Sequence, residues 1–211
     1  MEKTLKIAKE KSCFVISTLK ELIPNPQSEL IYNNPFELLI AVILSAQCTD
    51  KRVNQVTKVL FKKYNSCEKL GSANIEEIEE IIKPCGFYKV KAKHIIEASR
   101  KLSEDFNGEV PRELELLSSL SGVGRKTASV VLAVAYGIPA MPVDTHVFRV
   151  SKRLGLSKGK TVLEVERDLR KIIPEKDWID SHHYLLLFGR YYCKAIRPNC
   201  ENCKFKEICL K

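Results

Sequence analysis

Four of the chain's eight cysteines crowd into its C-terminal tail as Cys193, Cys200, Cys203 and Cys209, spaced C-x6-C-x2-C-x5-C. After Tyr192 the tail is rich in Cys and Lys and has no long apolar face. Such a segment cannot fold on a hydrophobic core of its own, so something else must hold it. Thiolates at this spacing can close a loop around one tetrahedral centre. Structural zinc usually takes two close pairs, and only Cys200 and Cys203 form one. A four-iron, four-sulfur cluster is larger and suits the wider spacing, although zinc also matches the number of thiols. Cys13, Cys48, Cys67 and Cys85 stand singly and read as small buried apolar residues.

Clustered thiols serve as ligands where they stay reduced, which points to the cell interior. Met1 to Lys11 alternates Lys and Glu with apolar residues and lacks the apolar centre of a signal peptide. The longest uncharged stretch, Thr127 to Val143, is broken by Gly137, Pro139 and Pro142 and falls short of the ~20 apolar residues of a membrane span. These features predict an intracellular, soluble protein. Lys and Arg number 35 against 26 Asp and Glu, a net charge of +9. That surplus favours a polyanionic partner, nucleic acid or an anionic membrane; charge alone is equally compatible with a basic surface that only keeps the protein soluble. With 45% hydrophobic and 29% charged residues, a disordered chain is excluded.

Periodicity predicts an all-α chain of about ten helices joined by short loops. The expected segments are Lys3–Ile23, Phe36–Ala46, Asp50–Tyr64, Ile75–Ile82, Lys91–Phe106, Leu114–Leu120, Arg125–Tyr136, Asp144–Leu154, Val162–Ile173 and Ser181–Tyr192. Phe36–Ala46 is almost wholly apolar, and its length and Leu/Ala content favour a buried helix over a strand.

Between two of these helices lies Ser121-Gly122-Val123-Gly124, followed by Arg125-Lys126-Thr127-Ala128. Helices joined by G-x-G form a tight hairpin in which a ligand can approach the main chain closely. The first amides of the second helix lack partners and lie at its positive dipole end, a ready site for a backbone phosphate. Lys126 sits in that first turn. A neutral lysine amine forms Schiff bases with carbonyl carbons; the plainer reading is a solvated lysine touching phosphate. Asp144, in Val143-Asp144-Thr145-His146-Val147, precedes a helical pattern and reads as an N-cap. Capping is compatible with a catalytic carboxylate, since it fixes the group's position. His146, His182 and His183 read as structural. In the tail, Lys194, Arg197, Lys204 and Lys206 lie among the cysteines, where they can contact phosphate or offset a cluster's negative charge.

Taken in order, Leu44-Ser45-Ala46-Gln47-Cys48-Thr49-Asp50, the Leu120–Ala128 hairpin, the Val143–Val147 segment and the four-cysteine tail resemble the endonuclease III family of helix-hairpin-helix DNA glycosylases and abasic-site lyases. The resemblance spans nearly the whole chain. It implies two helical domains flanking a DNA-binding cleft: a six-helix barrel over 28–138, and a domain of 1–27 and 139–211 carrying a [4Fe-4S] cluster on the four tail cysteines. It implies that Lys126 and Asp144 are catalytic. Gln47 then matches a residue that fills the gap left by a flipped nucleotide, and Phe87 a second wedge where relatives commonly carry Leu. Gly122, Val123, Gly124, Arg125, Lys194 and Arg197 are the remaining expected DNA contacts. The implied substrate is double-stranded DNA with oxidised pyrimidines or abasic sites, acted on by a cytoplasmic, nucleoid-associated monomer.

Three positions depart from the family pattern. Ser121 replaces the usual Pro and is expected to loosen the turn slightly. Cys48 replaces a usual Ala or Thr, and Phe188 stands where relatives often have His. Two other readings share part of these features. One is a mismatch-type monofunctional glycosylase, whose adenine-excising members carry Ser at the Lys126 position and a long extra C-terminal domain, features this sequence does not show. A non-catalytic iron–sulfur DNA-binding protein needs the hairpin and basic tail but not the Lys126/Asp144 pair.

Overall fold

The computed structural model describes residues 2–211, which form two compact units, Ser28–Ile138 and 2–27 with Pro139–Lys211. Among the described residues the regular structure is entirely helical. None of the helices is long and apolar enough to cross a membrane.

The Ser28–Ile138 unit is built around α2 (Pro35–Ser45), whose residues Phe36 to Leu44 are all buried. Pro35 opens it with a preset φ, and the Asn34 side chain caps the Glu37 amide at 2.9 Å. Glu37 is buried, and its carboxylate accepts from the Asn33 backbone and side-chain amides, both at 2.8 Å. Against α2 pack α3 (Asp50–Lys63), α6 (Tyr88–Asp105) and α8 (Arg125–Tyr136), with α4 (Cys67–Gly71) and α5 (Ile75–Ile82) on α6 and α7 (Leu114–Ser118) on α8. Thr49, Ser66 and Asn74 cap α3, α4 and α5 with their side chains. Leu39, Leu44, Val53, Leu60, Ile78, Ile95 and Val131 make the centre of one continuous core.

The second unit gathers α1 (Glu2–Leu22), α9 (Thr145–Arg153), α10 (Val162–Ile172), a 3-10 turn (Glu175–Asp177) and α11 (Trp178–Tyr191). Leu19, Val147, Val150, Leu169, Leu185 and Phe188 form its core. At the α9–α11 contact, a Cβ on Gly189 would come within 2.9 Å of the His146 Cβ, so only glycine allows this approach.

Two helix starts and one short helix differ from the periodicity reading. α4 is a single capped turn too short to show a period. α6 begins at Tyr88 rather than Lys91, because Phe87 takes a left-handed φ of 57° and reverses the chain there. α11 begins at Trp178, whose indole N–H bonds the Ile173 carbonyl at 2.9 Å. Cys67 and Cys85 are buried, but Cys13 is exposed and Cys48 only half-buried, contrary to a uniform reading of the single cysteines.

His183 is buried in α11, and burial holds its imidazole below the ordinary 6.5, against a smaller opposing effect of Asp180. The unfolded chain therefore takes up this proton first as pH falls, so the contribution is neutral above the ordinary value and destabilising below it. The drop in urea midpoint between about pH 7.5 and pH 5.5 should be smaller in His183→Gln than in the wild-type protein.

Candidate active site

The α7–α8 hairpin is fixed from below. Leu117, Leu120 and Val123 are buried in the core, and the Val123 amide bonds the Leu120 carbonyl at 3.1 Å. Gly122 has φ +75°, and a Cβ there would lie 2.8 Å from the His94 Cβ. Conformation and space both demand glycine. Ser121 is not loose as its place in the turn suggests. Its hydroxyl donates to Glu97 at 2.7 Å and lies 2.9 Å from His94 Nδ1, which ties the turn to α6 by hydrogen bonds in place of a ring.

Gly124 is the N-cap of α8 and provides no side-chain capping bond. A Cβ built on it would meet nothing within 4 Å. The first turn of α8 contains no acidic residue to offset the positive dipole end. Arg125 and Lys126 are exposed there. The turn thus offers main-chain amides, two cations and open space, the chemistry that receives an oxyanion.

Two further turns of this unit expose strained residues. Gln47 follows the end of α2 with φ +52°, and Phe87 precedes α6 with φ +57° and 67% exposure. Bulky residues seldom adopt this region, and the surrounding fold must impose it. Among the described non-glycine residues only Gln47, Phe87, Asn107 and Arg197 do so. Three of those four are expected DNA contacts. The anchor beneath Gln47 is Lys91. Its buried ammonium bonds the Leu44 carbonyl at 2.9 Å and the Ala46 carbonyl at 2.7 Å, closing the C-terminal end of α2. Burial pulls the Lys91 amine below its ordinary range, partly opposed by the Cys85 and Cys48 thiols. Helical periodicity had no means of revealing Lys91, which occupies an inward position usually filled by an apolar side chain.

In the second unit Asp144 is the N-cap of α9. Its Oδ1 accepts from the His146 amide at 2.9 Å and the Val147 amide at 2.8 Å. Among the described residues Oδ2 takes no hydrogen bond. Buried Met141 and Val143 hold the approach to this cap.

The tail is seated on the same unit by two devices that its composition conceals. Phe205 is fully buried, edge-on to Phe188 with centroids 5.2 Å apart. Phe188, one of the three departures, is therefore the aromatic floor of the tail. On α9, Arg153 donates to the Lys194 carbonyl at 2.8 Å and to Cys193 Sγ at 3.3 Å. Arg149 donates to the Cys193 carbonyl at 3.2 Å and the Gly189 carbonyl at 2.7 Å. Burial raises the Cys203 thiol; a Phe205 backbone bond opposes this, and the nearby Cys193, Cys209 and Cys200 thiols add to it. The thiols of all four tail cysteines therefore lie in one neighbourhood. Among the described residues no group of three His, Cys, Asp or Glu side chains is close enough to hold a single metal ion. Lys194 and Arg197 are exposed on the tail.

Residues 40–175 match the HhH-GPD superfamily of base excision DNA repair proteins. Endonuclease III of Bacillus subtilis (strain 168) is 50% identical over 197 residues, 93% of this chain and 90% of that protein. Endonuclease III of Escherichia coli (strain K12) is 44% identical over 201 residues, 95% of each chain. A solved structure of a trapped endonuclease III–DNA covalent intermediate aligns with TM-score 0.93 at 48% identity, covering 96% of this chain and 95% of that one. The chain belongs to the endonuclease III family. It is a helix-hairpin-helix DNA glycosylase and abasic-site lyase of base excision repair. In this chain Ser121 and Phe188 are each absorbed by a local network, the first by His94 and Glu97 and the second by Phe205.

Lys91→Met keeps the apolar stem but strands two carbonyls. It should cost about 2 kcal/mol of stability, seen as a lowered urea midpoint with unchanged slope.

Proposed function

We propose that Lys126 is the nucleophile and Asp144 the charge-stabilising carboxylate of a base-excision reaction on double-stranded DNA. The observation that carries this reading is the exposure of Lys126 in an uncapped, acid-free helix turn beside Gly122 and Gly124. A DNA backbone received by those amides and Arg125 brings a sugar within reach of the Lys126 amine. The damaged nucleotide leaves the stack, because its C1′ is inaccessible inside a duplex. Gln47 and Phe87 occupy the vacated space and part the neighbouring bases, which suits exposed side chains held on strained turns.

Lys126 attacks C1′ as the base departs with its bonding electrons. Asp144 Oδ2 faces no competing donor and is available to stabilise the positive charge that develops on the sugar, or to take the proton from the lysine. The sugar ring then opens to a protonated Schiff base between Lys126 and C1′. Loss of a C2′ proton expels the 3′ phosphate and cleaves the strand. Water finally releases the lysine. Oxidised pyrimidines are the proposed bases, and the protein is proposed to act in the cytoplasm, on the nucleoid, as a monomer.

The two units are proposed to be a six-helix barrel, Ser28–Ile138, and a cluster domain. Cys193, Cys200, Cys203 and Cys209 would hold a [4Fe-4S] cluster. The donor set fits it: four thiols that act on one another, and two arginines to offset negative charge. When bound, the cluster supplies a covalent cross-link for a tail that otherwise rests on Phe205 and the arginines. Lys194 and Arg197 are then held where phosphate contact is possible.

Borohydride should trap the wild-type protein on abasic-site DNA and fail to trap Lys126→Ala. Trapping that survives the substitution contradicts the assignment. Asp144→Asn keeps the cap, so its stability should change by less than about 1 kcal/mol. Its single-turnover rate should nevertheless fall by about 100-fold or more.

A further inference from the structure

Cys48 is the immediate neighbour of Gln47, and Cys85 lies two residues before Phe87. The two exposed, left-handed residues thus each flank a cysteine on the core side. Cys85 is fully buried in the core, and Cys48 is half-buried and packs against that same core. Each thiol lies close enough to act electrostatically on the other. The two turns are also adjacent in backbone: a Cβ on Gly86 would stand 3.8 Å from the Gln47 carbonyl oxygen. The Cys48 amide bonds the Ser45 carbonyl at 3.0 Å and the Cys85 amide the Ile82 carbonyl at 2.8 Å, so each thiol is carried by a short, hydrogen-bonded turn. The charged groups acting on Cys85 are Lys91, which closes the end of α2, and Arg52, both of which favour its thiolate. Burial opposes them and pushes the Cys85 thiol up to about 11. Cys48, the more accessible thiol, is therefore the one to react first.

We propose that Cys48 and Cys85 form a reversible disulfide that links the Gln47 turn to the Phe87 turn and switches off engagement of DNA by those turns. The oxidant is a low-molecular-weight disulfide. The Cys48 thiolate attacks one of its sulfurs and expels the other half as a thiolate. Cys85 loses its proton to that thiolate and attacks the Cys48 sulfur, expelling the second half. Two electrons pass from the protein thiols to the small disulfide, which ends as two thiols. Bond formation brings the two sulfurs to about 2 Å. The half-buried Cys48 turn moves toward the fully buried Cys85, and Gln47 moves with it. The DNA consequence rests on the proposed roles of Gln47 and Phe87.

The test treats the purified full-length, cluster-loaded protein with glutathione disulfide. Non-reducing peptide mapping should then find the Cys48 and Cys85 peptides joined, two hydrogens lighter than their sum. Borohydride trapping on abasic-site DNA should be lost and should return with dithiothreitol. Cys48→Ala, which places a residue common among relatives at this position, should trap DNA whether or not it is oxidised. A glutathione adduct on Cys48 alone, or both thiols still free to alkylation while the reduced protein traps DNA, overturns the disulfide. A joined peptide with trapping unchanged overturns its effect on DNA. Failure of the reduced protein itself to trap counts against the Lys126 assignment, and the peptide map still decides the disulfide.

Discussion

At Gly122 the hairpin backbone runs so close to the His94 side chain that no Cβ could be accommodated. That approach sets the level at which α8 begins, and hence where its first amides and Lys126 emerge. Ser121 secures the same turn to α6 through His94 and Glu97. Val123 secures it to the core. The backbone of Lys126, the proposed nucleophile, is thus fixed by three neighbours, while its own side chain stays in solvent. A catalytic lysine needs both conditions: a defined position and freedom to reach a sugar.

The same economy governs the second unit. Asp144 spends one carboxylate oxygen on capping α9 and leaves the other unengaged among the described residues. The cap is a structural necessity that also holds a charge in place. On the tail, Arg149 and Arg153 bind main-chain carbonyls next to the first cysteine, so α9 organises Asp144 at one end and the cysteine loop at the other.

Much of the helical framework was legible because its periods are strong. Phe36 to Leu44 read as a buried helix and is one. Boundaries failed where a single residue overrode the period, as at Phe87, whose left-handed backbone moves the start of α6. Local features of the site, namely the hairpin glycines, Lys126 and the Asp144 cap, were visible because each depends on near neighbours in sequence. Lys91, His94, Arg149, Arg153 and Phe205 were not, because their roles depend on partners brought close only by folding. Cys13 shows the limit of composition: its type suggests burial, but its place on the outer side of α1 leaves it exposed.

In the proposed reaction one amine, that of Lys126, forms the covalent bond to DNA. The most direct measurement is to digest the borohydride-reduced protein–DNA adduct and sequence the peptide that carries the sugar remnant. The remnant is expected on the Lys126 amine alone. A remnant on any other lysine, or on the α-amino group of the chain, would contradict it.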